Sequence, residues 1–200
     1  MVHNFKDPFL VERFLDLSQL LDLLLPITSV CSRWRNVAIS TGKLWTLVII
    51  NPTRSAETES QIIKIFLERS ANTSIIVHLV GPHDLASEYH PGFMQLFELA
   101  LPHLGRCFVF RFDYLVEPMV YNIFPLPSMA ILHTIFLFGK VPNASSVTLF
   151  EDPASYLRVK DLTIFGIPVT PFPQNTVSKL IISPYYTPEV WVLPFVESLP

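Results

Sequence analysis

The groups best suited to chemistry in this chain sit in the stretch "HDLASEYH", where His83, Asp84, Glu88 and His90 crowd together. Two imidazoles and two carboxylates could hold a zinc ion or relay a proton. Gly81-Pro82 precedes the stretch and Pro91-Gly92 follows it. Such punctuation belongs to a connecting loop, so the cluster reads as a solvated loop rather than a metal centre. Cys31 is the second candidate. Arg33 and Arg35 lie close enough to favour its thiolate, but an apolar helical context makes it a buried structural cysteine. No phosphate-cradling G-x-x-x-x-G-K, no G-x-S-x-G elbow and no H-E-x-x-H helix occurs. Nothing brings a nucleophile, a base and an oxyanion donor together. Neither catalysis, a metal nor a cofactor is expected, and a hydrolase with an unrecognised site ranks last among the functions considered.

The elements around these residues follow from the spacing of apolar side chains. In "VCSRWRNVAISTGKLW", Val30, Trp34, Val37 and Ala38 recur at helical intervals and line one face, while Arg33, Arg35 and Asn36 point away. Ser40, Thr41 and Gly42 stop that helix, Gly42 being able to take a left-handed turn. Upstream, Phe9, Leu10, Phe14, Leu17, Leu20, Leu21 and Leu24 are also spaced by threes and fours until Pro26 breaks the run.

After Trp45 the texture changes. Short apolar segments recur, each with a pair of apolar residues two apart: Leu47 and Ile49, Val77 and Leu79, Phe108 and Phe110, Ile135 and Leu137, Leu162 and Ile164, Leu180 and Ile182. Segments apolar almost throughout, such as "LVII" and "IFLF", suit strands covered on both faces. The spacing of the pairs approaches the roughly 20–29-residue period of leucine-rich repeats. A helix is predicted over Glu57 to Ser70 with Ile62, Ile63, Phe66 and Leu67 on its apolar side. A second runs through Phe93, Phe97, Ala100, Leu101 and Leu104, with Pro91 near its start and Pro102 ending or kinking it. Later connections are rich in proline and less helical. The segment Pro118 to Gly139 lacks charge over a bilayer-spanning length. Pro125, Pro127, Asn122 and His133 interrupt it, and it reads as a loop leading into a buried strand.

Composition narrows the partners. Half of the residues are hydrophobic, enough for a sizeable core, and the net charge of −3 with 14 scattered Lys and Arg offers no attraction to nucleic acid. The two cysteines, Cys31 and Cys107, do not suggest a disulfide framework. A reducing compartment, cytoplasm or nucleus, fits them.

The stretch "LLLPITSVCSRWRNVAISTGKLW" resembles the C-terminal half of the F-box of fungal F-box proteins. Val30, Cys31, Arg33, Trp34, Arg35, Ser40, Thr41, Leu44 and Trp45 carry the likeness. "FLERS" and "LPHLGR" resemble segments that follow the F-box in such proteins, and "YLRVKDLTIFG" resembles their leucine-rich-repeat region. The segment "DPFLVERFLDL" departs from the family's Leu-Pro-Glu opening, with Pro8, Glu12 and Phe14 in its place. The resemblance implies an α/β chain. An F-box-like helical module over residues 1–46 precedes an irregular leucine-rich-repeat solenoid of parallel strands over residues 47–200. No polar cap closes "WVLPFVESLP", so a shortened chain or an exposed last repeat is expected. In this reading Val30, Cys31, Trp34, Val37 and Trp45 form the core of the module. Leu10, Phe14, Leu17, Leu21 and Leu24 contact the adaptor subunit of an SCF ubiquitin ligase, and the repeats hold a protein substrate. A repeat scaffold with a decayed F-box is the alternative. Nucleic acid and membrane are not expected partners.

Overall fold

The computed structural model describes residues 26–51, 55–81, 92–116, 119, 122–140, 147–152, 154, 158–169 and 177–183. The chain divides into two compact units, Met1–Ser40 and Thr41–Pro200. The division falls after Ser40 rather than after residue 46, because Trp45 packs against Phe66 of the second unit.

In the first unit residues 26–30 are helical and α1 follows over Ser32–Ser40, stopping where the Ser-Thr-Gly turn was expected. Arg35 Nε donates to Thr28 O at 2.8 Å and ties the two helical segments together. The apolar stripe is intact but faces outward: Val30 is 68 %, Trp34 55 % and Val37 49 % exposed, and Cys31 is exposed too. These four are therefore not core residues. Of α1 only Ala38 is buried. Helical period decides which side chains share a face, but not whether anything covers that face. Leu10, Phe14, Leu17, Leu21 and Leu24 lie outside the described residues, as do His83, Asp84, Glu88 and His90.

The second unit opens with a 3-10 turn, Gly42–Trp45. It continues through β1 Leu47–Ile50, α2 Ala56–Arg69, β2 Ile75–Val80, α3 Gly92–Ala100, a 3-10 segment Leu101–Arg106, β3 Cys107–Val116, β4 Thr134–Lys140, β5 Asp161–Phe165 and β6 Lys179–Ser183. Each apolar pair of the sequence falls in one strand. All neighbouring strands pair parallel, in the order β1-β2-β3-β4-β5-β6.

The helices start and stop for local reasons. Ser55 caps α2 by accepting from Thr58 N at 3.3 Å, and Glu57 and Glu59 oppose the positive end of the helix dipole. Pro102 cannot continue α3, which tightens into the 3-10 segment. Gly42 does not take a left-handed conformation. Its value is closeness, since a Cβ there would lie 3.3 Å from Ser70 O and 3.3 Å from Thr73 Cγ2. That approach lets Trp45 reach Phe66 edge-on at 5.2 Å, with the Arg69 guanidinium 4.3 Å from its ring centre. Trp45, 3 % exposed, is the member of the expected core set that is buried.

Sequential strand order moves every crossover one strand in the same direction. With the right-handed crossovers that parallel strands adopt, the described helices between strands fall on one face of the sheet. That face carries Val48, Ile50, Val77, Leu79, Phe110, Phe112, Ile135, Leu137, Leu162 and Ile164, none more than 1 % exposed. Phe93 of α3 stacks on Phe112 at 5.8 Å, and Ile63, Phe66 and Leu67 of α2 are buried beside β1. In the later connectors Met119, Asn122 and Ile123 are helical, and described loop residues pair with one another. Leu126 bridges Phe150 and Val147 bridges Val169, both in parallel sense. A second ladder runs along the strand starts, where Thr46 O accepts from Ile76 N, Phe108 O from His133 N, His133 O from Lys160 N and Lys160 O from Lys179 N. Among the described residues no helix is long and apolar enough to cross a membrane.

Candidate functional site

The other face of the sheet holds three registers of side chains. The first reads Leu47, Ile76, Val109, Thr134, Asp161, Lys179, and the second Ile49, His78, Arg111, Phe136, Thr163, Ile181. The third includes Val80 beside Asp113, and Phe138 beside Phe165. Ile49, His78, Thr134 and Thr163 are buried here. Leu47, Ile76, Val80, Val109, Arg111, Asp113, Phe136, Phe138, Asp161, Phe165 and Ile181 are all partly exposed. Alternation along each strand thus separates a dry face under the connectors from a half-open one.

The polar centre of this face is built from two strands. Asp113 accepts from Arg111 Nε at 3.0 Å through Oδ1 and at 2.9 Å through Oδ2, with Arg111 Nη2 2.8 Å from Oδ2. His78 Nε2 lies 2.9 Å from the same Oδ2. An ionised carboxylate only accepts, so Nε2 carries the hydrogen in this arrangement. Burial works to raise the Asp113 pKa. Hydrogen bonds from His78 and Arg111 and the Arg111 charge outweigh it, and the carboxyl is held below its ordinary range. A His–Asp pair can orient a catalytic imidazole, but here the carboxylate is shared with a permanent cation. The arrangement neutralises charge.

Aromatic side chains flank this centre. The Arg111 guanidinium stands 5.9 Å from the Phe136 ring centre, and Phe138 and Phe165 lie 6.0 Å apart across β4 and β5. At the strand starts Phe108 is the extra residue where the β2–β3 register shifts, and it is 42 % exposed. It stacks on His133 at 5.0 Å, whose Nδ1 is 3.1 Å from Thr134 Oγ1 and 3.8 Å from Asp161 Oδ2.

A second polar assembly lies under the connectors. Arg106 Nη1 donates to Ser70 Oγ at 2.9 Å and Thr73 O at 3.0 Å, and Nη2 donates to Leu67 O at 2.9 Å. A cation at the carbonyl end of α2 meets the negative end of its dipole. Burial lowers the pKa of His103 beside it, and the Arg106 charge lowers it further. Cys107, next in the chain, is buried, and burial pushes its thiol up to about 12. It is no nucleophile at neutral pH.

Neither Arg106 nor the His78–Arg111–Asp113 group was anticipated. Part of the signal is legible. Arg111 and Asp113 alternate with Phe110 and Phe112 in "FRFD", and His78 interrupts "IIVHLV". Alternation places each charge on the face away from the core, but the register that joins β2 to β3 is tertiary information. Among the described residues no cluster of three His, Cys, Asp or Glu is placed to hold a metal ion. No family model, no curated protein and no solved structure matches this chain.

Proposed function

We propose that this chain is a non-catalytic substrate receptor of an SCF-type ubiquitin ligase. Its second unit acts as an irregular leucine-rich-repeat solenoid that holds a target protein, and its N-terminal helices bind the adaptor subunit. The observation that carries the repeat half is the single run of six parallel strands in chain order, each at one of the repeated apolar pairs. Among the described residues the helices between strands lie on one face of this sheet, and the other face is the kind of surface a repeat protein offers a partner. The outward stripe of Ile27, Val30, Trp34 and Val37 supports the adaptor half, since an apolar patch at a surface marks an interface more often than a core. The protein's contribution to ubiquitin transfer is proximity, holding the target near an enzyme supplied by other subunits.

The test mixes the purified full chain with recombinant adaptor subunit. A complex is expected at micromolar concentration. Trp34→Glu, and separately the pair Leu10→Glu and Phe14→Glu, should abolish it without altering the circular dichroism of the repeats. If the parent chain forms no complex at that concentration, the receptor reading falls and a repeat scaffold with a decayed F-box replaces it.

A further inference from the structure

We infer that His103 and Arg106 form an acid-sensitive latch. Below neutral pH the imidazole takes up a proton and pushes the Arg106 fork off the end of α2, which loosens the turn that seats the Gly42–Trp45 segment. The latch works whatever partner the chain binds, so it does not depend on the receptor reading.

Donors and acceptors define the contact. A guanidinium carries only donors and keeps its proton. Arg106 Nη1 donates to Ser70 Oγ and Thr73 O, and Nη2 donates to Leu67 O. His103 Nδ1 stands 3.4 Å from the same Nη2, a fourth and longer contact. Facing a donor, Nδ1 presents its lone pair, so the ring is neutral and carries its hydrogen on Nε2. The next proton goes on Nδ1. It sets N–H against N–H, and one cation against another at 3.4 Å. Arginine cannot give up its own proton, so the two side chains have to part.

The elements packed around the pair do not offset that second charge. α2 carries Glu68 and Arg69 at its end; Glu68 is exposed, and Arg69 lies over the Trp45 ring at 4.3 Å. α3 carries Glu98, which is exposed as well. On β3, Cys107 is a neutral thiol and the first charge, Arg111, is bound to Asp113. Among the described residues no carboxylate forms an ion pair with His103 or Arg106. Half-buried, the imidazolium is also poorly hydrated. Burial first, and then the Arg106 charge, hold the His103 pKa below its ordinary value.

The fork holds a turn with little slack. Ser70 is buried, and Ala71 takes a left-handed φ of 47°, which alanine adopts only at a cost. Ser70 N donates to Phe66 O, Ala71 N to Glu68 O and Thr73 N to Ser70 O. The same turn seats the Gly42–Trp45 segment, since a Cβ on Gly42 would lie 3.3 Å from both Ser70 O and Thr73 Cγ2. Arg106 ties this turn to the connector that follows β2. Its release frees the turn and the seat together.

Linkage sets the sign. With its folded-state pKa lowered, His103 favours the latched state fully above its unfolded value of 6.5, and that contribution is lost as pH falls through the folded value. The window opens well above that of Asp113, whose pKa is lowered from 3.8, so the two can be read apart.

The experiment is native-state hydrogen exchange of the full chain from about pH 7.5 to about 5.5, corrected for intrinsic exchange. Protection of the Ser70, Ala71 and Thr73 amides should fall at least about threefold over that range, beyond any fall at Phe110 and Phe112. In His103→Asn the amide oxygen replaces Nδ1 as acceptor and takes no proton, so protection there should hold level. NMR titration of the His103 ring should give a pKa below 6.5 in the parent and a higher one in Arg106→Gln, which lacks the guanidinium charge. Should either variant fail to fold, the parent's own ring titration and exchange profile decide. A His103→Asn profile that follows the parent would overturn the inference. So would a ring that titrates at or above 6.5, or one unmoved by Arg106→Gln. Protection lost equally in every strand would assign the acid response to other groups and overturn it too.

Discussion

Arg106 is held by three acceptors, none of them charged: Ser70 Oγ, Thr73 O and Leu67 O. Two of these are carbonyls at or just beyond the last turn of α2, where backbone acceptors outnumber their helical donors. Arg106→Ala should destabilise the second unit by about 1.5–3 kcal/mol in urea denaturation, because bonds from a charged donor are lost and the acceptors stay half-buried. Arg106→Lys should recover less than half of that, since an ammonium cannot reach all three in a fork. Full recovery by lysine would show that charge alone matters there.

Asp113 makes the second prediction at this scale. Its folded-state pKa is lowered from 3.8. The stability it supplies is therefore fully present above the unfolded value and is lost as pH falls through the folded one. Asp113→Asn should cost about 1–3 kcal/mol at neutral pH, because it removes the carboxylate charge that Arg111, 21 % exposed, and His78 share. The gap to the parent should close as pH is taken below about 4. Urea midpoints of both proteins at several pH values read it directly, and a gap independent of pH would refute the assignment.

Secondary-structure elements show where apolar spacing is a sufficient guide and where it is not. The six strands, α2 and α3 all lie where their periods place them, because a buried strand or helix face must be apolar and nothing else in a charge-bearing chain makes that pattern. The same logic misplaced Trp34. Its stripe with Val30 and Val37 is real, but a stripe specifies a covered face only when a partner lies on it. Trp45, which belongs to no such stripe, is the buried one, locked by Phe66 and Arg69. Phe108 and Gly42 also depart from expectation: the first is the extra residue where the β2–β3 register shifts, and the second serves a close approach rather than a special dihedral. The two tryptophans therefore predict opposite outcomes. Trp45→Ala should cost about 3–5 kcal/mol. Trp34→Ala should change stability by less than about 0.5 kcal/mol, as exposed substitutions do. Thermal melts of the two variants check the contrast, and a large loss at Trp34 would return it to the core.

Across the second unit, each strand is stabilised chiefly by the strands and connectors immediately before and after it. Parallel order, the ladder of amides at the strand starts and the stacked bridges from Leu126 to Phe150 and Val147 to Val169 all join consecutive pieces of chain. Stability of such an array is close to a sum of local units and nearest-neighbour interfaces. Among the described strands β3 is held on both sides, by β2 and β4, and lies under α3 through the Phe93–Phe112 stack. β6 pairs with β5 over Lys179–Ser183, and among the described residues the connector before it contributes the bridge at Val169. Opening should therefore be graded along the array instead of global. In native-state hydrogen exchange, amides of Phe110 and Phe112 should exchange slowest and those of Ile181 and Ile182 markedly faster. Phe112→Ala should then accelerate exchange in β2, β3 and β4 together, while a lesion at Ile164 should release β5 and β6 and leave β2 protected. Uniform protection from β1 to β6, lost as a whole with either substitution, would mean one cooperative core and would remove the local coupling on which the repeat architecture is proposed.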